Sequence, residues 1–216
     1  LLRTDGGSYM QDFVECYEER DIVVFDTETT GLDVFADDIV QIAAVKMRKG
    51  RVVPDSVFVA YLTTSREIPA MLGDIVNPII EERKHHTLIA NDEALRQFMN
   101  YAEGAVLLAH NADYDYRILE NNLRRYCPDI SLEMQHPHYL DSLRLVRLLH
   151  PELKEHKLKY LLGAFGLEGE NSHLADDDVN ATCGVVAHCY EAAKERLAEQ
   201  QRFLSLEQTR RHASAL

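Results

Sequence analysis

The fold of this chain is set by a stretch that reads Ile22-Val-Val-Phe-Asp26-Thr-Glu28-Thr-Thr-Gly31-Leu32. Its first four residues are apolar and mostly β-branched, a composition typical of a short, buried central strand. Asp26 and Glu28 follow, two positions apart. Because side chains along a strand alternate between its two faces, we expect both carboxylates to lie on one face at the end of this strand.

Two neighbouring carboxylates on a buried strand repel each other, and each raises the pKa of the other unless a cation lies between them. The pair therefore suggests a metal site. A structural alternative exists, in which Asp26 caps the following turn and Glu28 is solvated. An isolated pair of acids at a strand end favours that alternative, so the remaining motifs have to discriminate between the two interpretations.

Further strands and helices are predicted on both sides of this stretch. Ile39–Met47 and Val52–Leu62 are strand candidates joined as a hairpin, and Pro54 predicts an edge or a bulge in the second of them. Two short strands are predicted at Ala105–Ala109 and Tyr139–Asp141. Helices are predicted to open at Asn91, to follow Asp178, and to cover Tyr114–Tyr126, Ser142–Leu149 and Leu158–Phe165. This order predicts one α/β domain with a mixed sheet flanked by helices.

The composition limits the classes of function. The chain has 216 residues, 46% of them apolar, which suffices for one domain with an ample core. No apolar run approaches the roughly 20 residues of a membrane span. The four cysteines lack C-x-x-C spacing, which favours reduced thiols in a cytoplasmic protein. The formal charge of −13 argues against an extended nucleic-acid interface, unless metal ions neutralise some carboxylates and only a few nucleotides are held.

Two further motifs combine acidic residues with a histidine. They read Leu108-Ala-His110-Asn111-Ala-Asp113-Tyr114-Asp115 and His173-Leu-Ala175-Asp-Asp-Asp178. Each has a structural alternative in which its acids only cap a helix. Together with the first stretch, they resemble the DEDDh group of DnaQ-like 3′–5′ exonucleases, the family of the proofreading subunits and domains of bacterial replicative polymerases. The resemblance covers about residues 20–195.

The resemblance implies a register for each motif. The family pattern H-N-A-x-[FY]-D selects Asp115 and leaves Asp113 as an exposed cap, and the spacing H-x-A-x-x-D assigns His173 as general base and Asp178 as a ligand. The implied catalytic residues are Asp26, Glu28, Asp115, His173 and Asp178. The four carboxylates among them would hold two divalent cations, Mg²⁺ or Mn²⁺. The implied substrate-binding residues are Thr29, Leu32, His110 and Asn111.

The resemblance also implies the fold and the reaction. The fold is an RNase H-like mixed five-stranded sheet, with the first three strands antiparallel and the last two parallel. The reaction is hydrolysis of the terminal phosphodiester at a single-stranded or frayed 3′ end of DNA, in proofreading or repair. The expected protein partner is a polymerase or an attached domain. No membrane is expected as a partner. The implied divisions are an N-terminal extension with a short helix at 1–20, the exonuclease domain at 21–203, and a tail or linker at 204–216.

Two other functions stay open. The same site acting on RNA would make this an RNase T-like or oligoribonuclease-like exonuclease, because the choice between DNA and RNA depends on contacts to the 2′-hydroxyl position. A non-catalytic nucleic-acid interaction module is disfavoured because all five catalytic positions are intact. Asp141 follows the last predicted strand and is interpreted as a helix cap or hydrogen-bonding support, not as a ligand.

Overall fold

A mixed sheet of seven strands forms the centre of the protein, whose computed structural model describes residues 6–215. The sheet strands are β1 (Asp21–Thr29), β2 (Ile39–Arg48), β3 (Arg51–Val52), β4 (Phe58–Leu62), β7 (Leu88–Ile89), β8 (Val106–Ala109) and β9 (Tyr139–Asp141). A separate two-stranded hairpin consists of β5 (Met71–Leu72) and β6 (Ile75–Val76). The helices are α1 (Gly6–Glu19), α2 (Pro78–Glu82), α3 (Asn91–Tyr101), α4 (Ala112–Tyr126), α5 (Leu132–Gln135), α6 (Ser142–Leu149), α7 (Leu158–Ala164) and α8 (Ala175–Ser214).

The strand directions confirm the predicted mixed sheet. Its order is β7-β4-β2-β1-β8-β9, with β3 paired to β2. β1, β2 and β4 form antiparallel ladders, in which Asp26 lies opposite Ala43 and Glu28 opposite Gln41. β8 joins β1 in parallel, and β9 joins β8 in parallel. The parallel strands arrive through crossover helices, as parallel pairing requires.

The predicted number of five strands was wrong, because two short strands extend the sheet. The predicted strand Val52–Leu62 is broken into β3 and β4. Pro54 has no backbone N–H to donate to the ladder, and Asp55 adopts a left-handed φ of 57°, so pairing stops between the two pieces. β7 lies in a segment with no predicted strand and pairs in parallel with β4.

The central strand β1 separates two hydrophobic layers. Ile22 and Val24 pack in the layer that contains α1, α6, α7 and α8. Val23 and Phe25 pack in the layer that contains α3 and α4. Because side chains along β1 alternate between its two faces, the next side chains on the α8 side are those of Asp26 and of the second acid of the strand. The acidic pair of β1 therefore faces the start of α8.

The two terminal helices differ from the sequence-based expectation in extent. α1 is part of the core, where Tyr9 and Phe13 are fully buried, although residues 1–5 of the predicted N-terminal extension lie outside the described residues. α8 begins at Ala175 and continues through the predicted tail to Ser214, since helix-forming residues fill the segment without Gly or Pro after Gly184. The boundaries at residues 20 and 203 stay a prediction. Within residues 6–215, no helix combines the length and the apolar character that crossing a membrane would need.

Candidate active site

Three carboxylates meet where β1 faces the first turn of α8. Asp26 and Glu28 come from β1 and Asp178 from α8, and one carboxylate oxygen of each lies within 4.8 Å of the other two. All three side chains are partly buried. The two strand acids lie in the last part of β1, as expected, because pairing with β2 continues to an irregularity between Glu28 and Thr29. The expectation that both acids share one face agrees with this geometry.

Asp115 approaches the same place from the first turn of α4. Its side chain is 3% exposed. Its Oδ1 atom accepts hydrogen bonds from the Thr27 hydroxyl at 2.7 Å and from the Thr27 backbone N–H at 3.2 Å. Asp115 lies outside the group of three atoms within 4.8 Å, but its charge raises the pKa values of both Asp26 and Glu28. The fourth acid is thus fixed beside the other three.

Burial raises the pKa values of all four carboxyl groups, and repulsion within the group raises those of Asp26 and Glu28 further. The pKa of Asp26 is raised first by burial and then by its three acidic neighbours. Burial, Asp178 and Asp115 raise the pKa of Glu28 to about 9. Burial also raises the pKa of Asp115 to about 7, although the hydrogen bonds from Thr27 oppose the change. Four such groups cannot all ionise at neutral pH unless a cation compensates for their charge.

The hydrogen bonding of Asp178 also indicates that the site needs a cation. Burial raises its pKa to about 7, against a hydrogen bond with Asp26 and one from the backbone N–H of His173. Its Oδ1 atom is nevertheless buried and has no hydrogen-bond partner among residues 6–215. Buried polar atoms are almost always paired, so an unpaired carboxylate oxygen suggests a missing ligand. A donor set made only of carboxylate oxygens fits a hard divalent cation.

His173 lies directly before α8 in an uncommon backbone conformation. Its φ is 60°, in the left-handed region that few residues other than glycine adopt. Its side chain is half-buried. Because its N–H is engaged with the Asp178 carboxylate, the backbone of His173 is tied to the acidic group. The histidine selected from the motif is therefore adjacent to the carboxylates.

Gln41 was not predicted as part of the site. It is fully buried on β2, opposite Glu28, and its Oε1 atom accepts the backbone N–H of Ala175 at 2.9 Å. Its Nε2 atom donates to Tyr61 at 3.2 Å and to Asp176 at 3.3 Å. Gln41 thus holds the first residue of α8 against the sheet. The sequence contained one signal for this role, because Gln41 is a single polar residue inside an apolar strand. Buried amides are usually hydrogen-bonded, so such a residue is expected to have a partner.

The acids that the motif register did not select have other surroundings. Asp113 is exposed, as expected. Asp177 accepts a hydrogen bond from the Ser172 hydroxyl at 2.5 Å, and Asp176 accepts one from the buried glutamine of β2. Asp178 is the member of the acidic run that reaches the strand acids. This geometry agrees with the register that the family spacing implies.

The loop after β1 carries two of the predicted substrate-binding residues. The Thr29 hydroxyl lies 2.6 Å from the Tyr114 hydroxyl and donates to the Gly31 carbonyl at 2.7 Å. Tyr114 donates to the same carbonyl at 2.8 Å, which ties the loop to α4. Leu32 projects from this loop with 89% of its surface exposed. Tyr114 was not predicted as a site residue, although the motif pattern requires an aromatic residue there.

The structure places His110 inside the protein. Its ring nitrogens lie 2.8 Å from the Ser142 hydroxyl and 2.9 Å from the His156 carbonyl, and burial lowers its pKa. Both nitrogens are therefore used in linking β8 to α6, and the geometry supports a structural role better than the predicted contact with substrate. Asn111 is exposed at the start of α4, and its backbone N–H donates to Asp141 at 3.0 Å. Asp141 caps α6, as predicted.

Comparison with known proteins agrees with this fold. Residues 23–186 match the RNase T exonuclease family. This match spans most of the chain, so the chain belongs to the exonuclease family and is a nuclease. Within that class, the resemblance to DnaQ-like 3′–5′ exonucleases is confirmed.

Two curated relatives and one solved structure illustrate what this chain is similar to. DNA polymerase III PolC-type of Clostridium perfringens is 33% identical over 179 residues, which cover 83% of this chain and 12% of that protein. The same enzyme of Latilactobacillus sakei is 36% identical over 168 residues, covering 76% and 11%. The chain therefore spans only about an eighth of these relatives. A zinc-bound E. coli exonuclease I–single-stranded DNA complex has a similar fold, with a TM-score of 0.69 and 21% identity over 84% of this chain and 42% of that one.

Proposed function

We propose that this chain is a metal-dependent 3′–5′ exonuclease that hydrolyses the terminal phosphodiester of DNA and releases nucleoside 5′-monophosphates. The observation that carries the proposal is the convergence of Asp26, Glu28 and Asp178 within 4.8 Å, beside the buried Asp115. Such a group destabilises the fold unless a cation compensates for it, so it suits a catalytic centre better than a structural one.

The polymer is inferred from the relatives. The curated relatives are DNA polymerases, and the structural neighbour is a complex with single-stranded DNA. We therefore propose DNA as the substrate and proofreading or repair as the context, in the cytoplasm. With a charge of −13, the isolated chain should bind DNA weakly and in a salt-sensitive way, so a polymerase or an attached domain would keep it at the 3′ end.

Asp26, Glu28, Asp115 and Asp178 would hold two divalent cations, Mg²⁺ or Mn²⁺. When bound, the cations supply charge stabilisation at the reacting phosphate and favour ionisation of the attacking water. The surrounding residues keep the carboxylates in place: Thr27 holds Asp115, and the backbone N–H of His173 holds Asp178.

The remaining roles belong to the chain's own side chains. His173 would accept the proton of the attacking water as general base, a role that imidazole side chains take most often. Attack in line with the 3′ oxygen then releases the last nucleotide as its 5′-monophosphate. The exposed Leu32 and the loop around Thr29 would hold the terminal nucleotide against the sheet. A frayed 3′ end reaches this place with less unpairing energy than a paired one.

The test is the digestion of a single strand labelled at its 5′ end, as DNA and as RNA, with Mg²⁺, Mn²⁺ or EDTA. We expect a ladder that shortens from the 3′ end, that needs the cation, and that disappears in Asp26→Ala. Asp113→Ala is the matched control, because it removes an exposed acid from the same motif set and should retain activity.

The outcomes separate the candidate functions. Faster digestion of DNA supports the proposal, and faster digestion of RNA would replace it with an RNase T-like or oligoribonuclease-like function. Undiminished activity of Asp26→Ala would overturn the site assignment. Digestion of neither polymer by the folded protein, with cation present, would favour a non-catalytic interaction module.

A further inference from the structure

We propose that the far end of α8 pairs with the same segment of a second copy of this chain, in an antiparallel arrangement. The projecting segment comprises residues 198–214 of α8, where every side chain except that of Glu207 is exposed. Phe203 and Leu206 belong to it and are 63% and 66% exposed. An isolated helix gains most of its stability from packing, so an exposed segment of this length suits a partner surface.

Four residues of the projecting segment share one face of the helix. Glu199, Phe203, Leu206 and Arg210 are spaced by four, three and four positions, the spacing of a coiled-coil seam. All four are exposed. The seam has an acid at one end, a base at the other, and two apolar residues between them.

This order makes the seam complementary to itself in one orientation. An antiparallel two-fold axis between Leu204 and Ser205 places Glu199 opposite Arg210 of the second copy. The same axis places Phe203 opposite Leu206 of the second copy, and each contact occurs twice. A parallel pair would instead place Glu199 opposite Glu199 of the second copy, and Arg210 opposite Arg210 of the second copy. Charge therefore selects the antiparallel orientation and its register.

The seam is accessible and lies far from the candidate active site. Glu195, on the same side of α8 and nearer to the domain, is also exposed, so the face is open as far as the domain edge. Asp178 precedes Glu199 by 21 positions, about 30 Å along a helix at 1.5 Å per residue. Pairing would thus leave the acidic site open in both copies, and it does not depend on the proposed function.

The test is sedimentation equilibrium of the full chain from about 1 µM to about 1 mM. We expect a reversible dimer that weakens at high salt, because the pairing surface is small and partly charged. Glu199→Arg alone and Arg210→Glu alone should each raise the dissociation constant by about tenfold or more, since each reversal creates two like-charged contacts. The double variant should restore the dimer, because it exchanges the two charges.

Arg211→Glu is the matched control. It makes the same charge change at the next residue, about 100° around the helix, and should leave the dissociation constant unchanged. Circular dichroism of each variant checks that α8 stays helical. A chain that is monomeric throughout the range would overturn the proposal, as would a double variant that is not restored. An unchanged dissociation constant in Glu199→Arg would indicate parallel pairing, in which one like-charged contact replaces another, and would also refute the proposal.

Discussion

The side chains of the candidate site differ in how firmly the protein holds them. Asp115 is almost fully buried, and Thr27 fixes one of its oxygens with two hydrogen bonds. Asp178 has one buried oxygen without a partner among the described residues. We infer that Asp115 is positioned before a cation binds, whereas Asp178 reaches its final hydrogen-bonding state only with the cation.

Removal of the proposed general base should separate catalysis from cation binding. His173→Ala should lower the single-turnover rate by about 10²–10⁴-fold, the range for losing a general base. Cation affinity, measured by calorimetric titration with Mn²⁺, should remain because the four carboxylates are intact. His85→Ala removes an exposed histidine and serves as the control. An unchanged rate in His173→Ala would contradict the assignment of His173.

The exposed leucine of the loop after β1 should act on substrate affinity only. Leu32→Ala should raise KM for a single-stranded oligonucleotide by about tenfold, the effect of losing about 1.4 kcal/mol of apolar contact. Unfolding free energy should change by less than about 0.5 kcal/mol, since Leu32 is 89% exposed. Met134→Ala, at a side chain that is 84% exposed, should change neither quantity. Equal KM values for the two variants would remove Leu32 from the substrate site.

At the scale of the elements, local patterns predicted the presence of strands and helices better than their ends. The apolar run ending at Phe25 predicted β1, but the ladder with β2 carries the strand on to Thr29. The last helix was predicted to follow Asp178, whereas α8 begins at Ala175, four residues earlier. The reason is a tertiary contact, because the backbone N–H of Ala175 donates a hydrogen bond to Gln41 on β2, a residue 134 positions away. No local pattern contains such a cap.

The motifs, by comparison, named three acids that the structure brings together, while their catalytic roles stay a prediction. Strand alternation predicted that Asp26 and Glu28 share a face, and the family spacing selected Asp178 from three consecutive acids. Neither consideration reveals supports that come from distant elements. Tyr114 and Gln41 act through hydrogen bonds across the fold, and His110 turned out to have both ring nitrogens bonded within the protein.

The contact between β2 and α8 leads to a prediction for Gln41. Gln41→Leu leaves the N–H of Ala175 unpaired in a buried place, which should cost about 1–3 kcal/mol of unfolding free energy in urea titrations. Affinity for Mn²⁺ should fall as well, because the first turn of α8 carries Asp178. Gln97→Leu, at an exposed position of α3, should have little effect on either quantity. A loss of stability with unchanged Mn²⁺ affinity would show that Gln41 does not position the site.

At the scale of the whole molecule, the acidic cluster couples stability to pH. The pKa of Glu28 is raised from 4.5 to about 9, and those of Asp115 and Asp178 from 3.8 to about 7. Without a cation, the folded protein therefore holds protons that the unfolded chain releases. The stability that these groups contribute is fully present below their pKa values in the unfolded chain. It is lost as the pH rises through their pKa values in the folded protein.

Thermal unfolding should show this coupling directly. In EDTA, the midpoint of thermal unfolding should fall steadily between about pH 5 and pH 9. Mg²⁺ or Mn²⁺ should raise the midpoint most at high pH, where the cation replaces the protons of the carboxyl groups. General repulsion from the charge of −13 acts in the same direction. Glu28→Gln isolates the cluster, since it removes a group whose pKa is raised to about 9 and should flatten the EDTA profile. A profile in EDTA that rises with pH would contradict the coupling.

The acids of the site lie far apart in the sequence, on β1, α4 and α8, and this affects the order in which they appear during synthesis. Asp26 and Glu28 leave the ribosome with the first strand, whereas His173 and Asp178 arrive only with the last helix. A nascent chain that lacks α8 has an open strand face and an incomplete set of acids. On the proposed function, the growing polypeptide therefore becomes able to hydrolyse nucleic acid only after α8 has been synthesised.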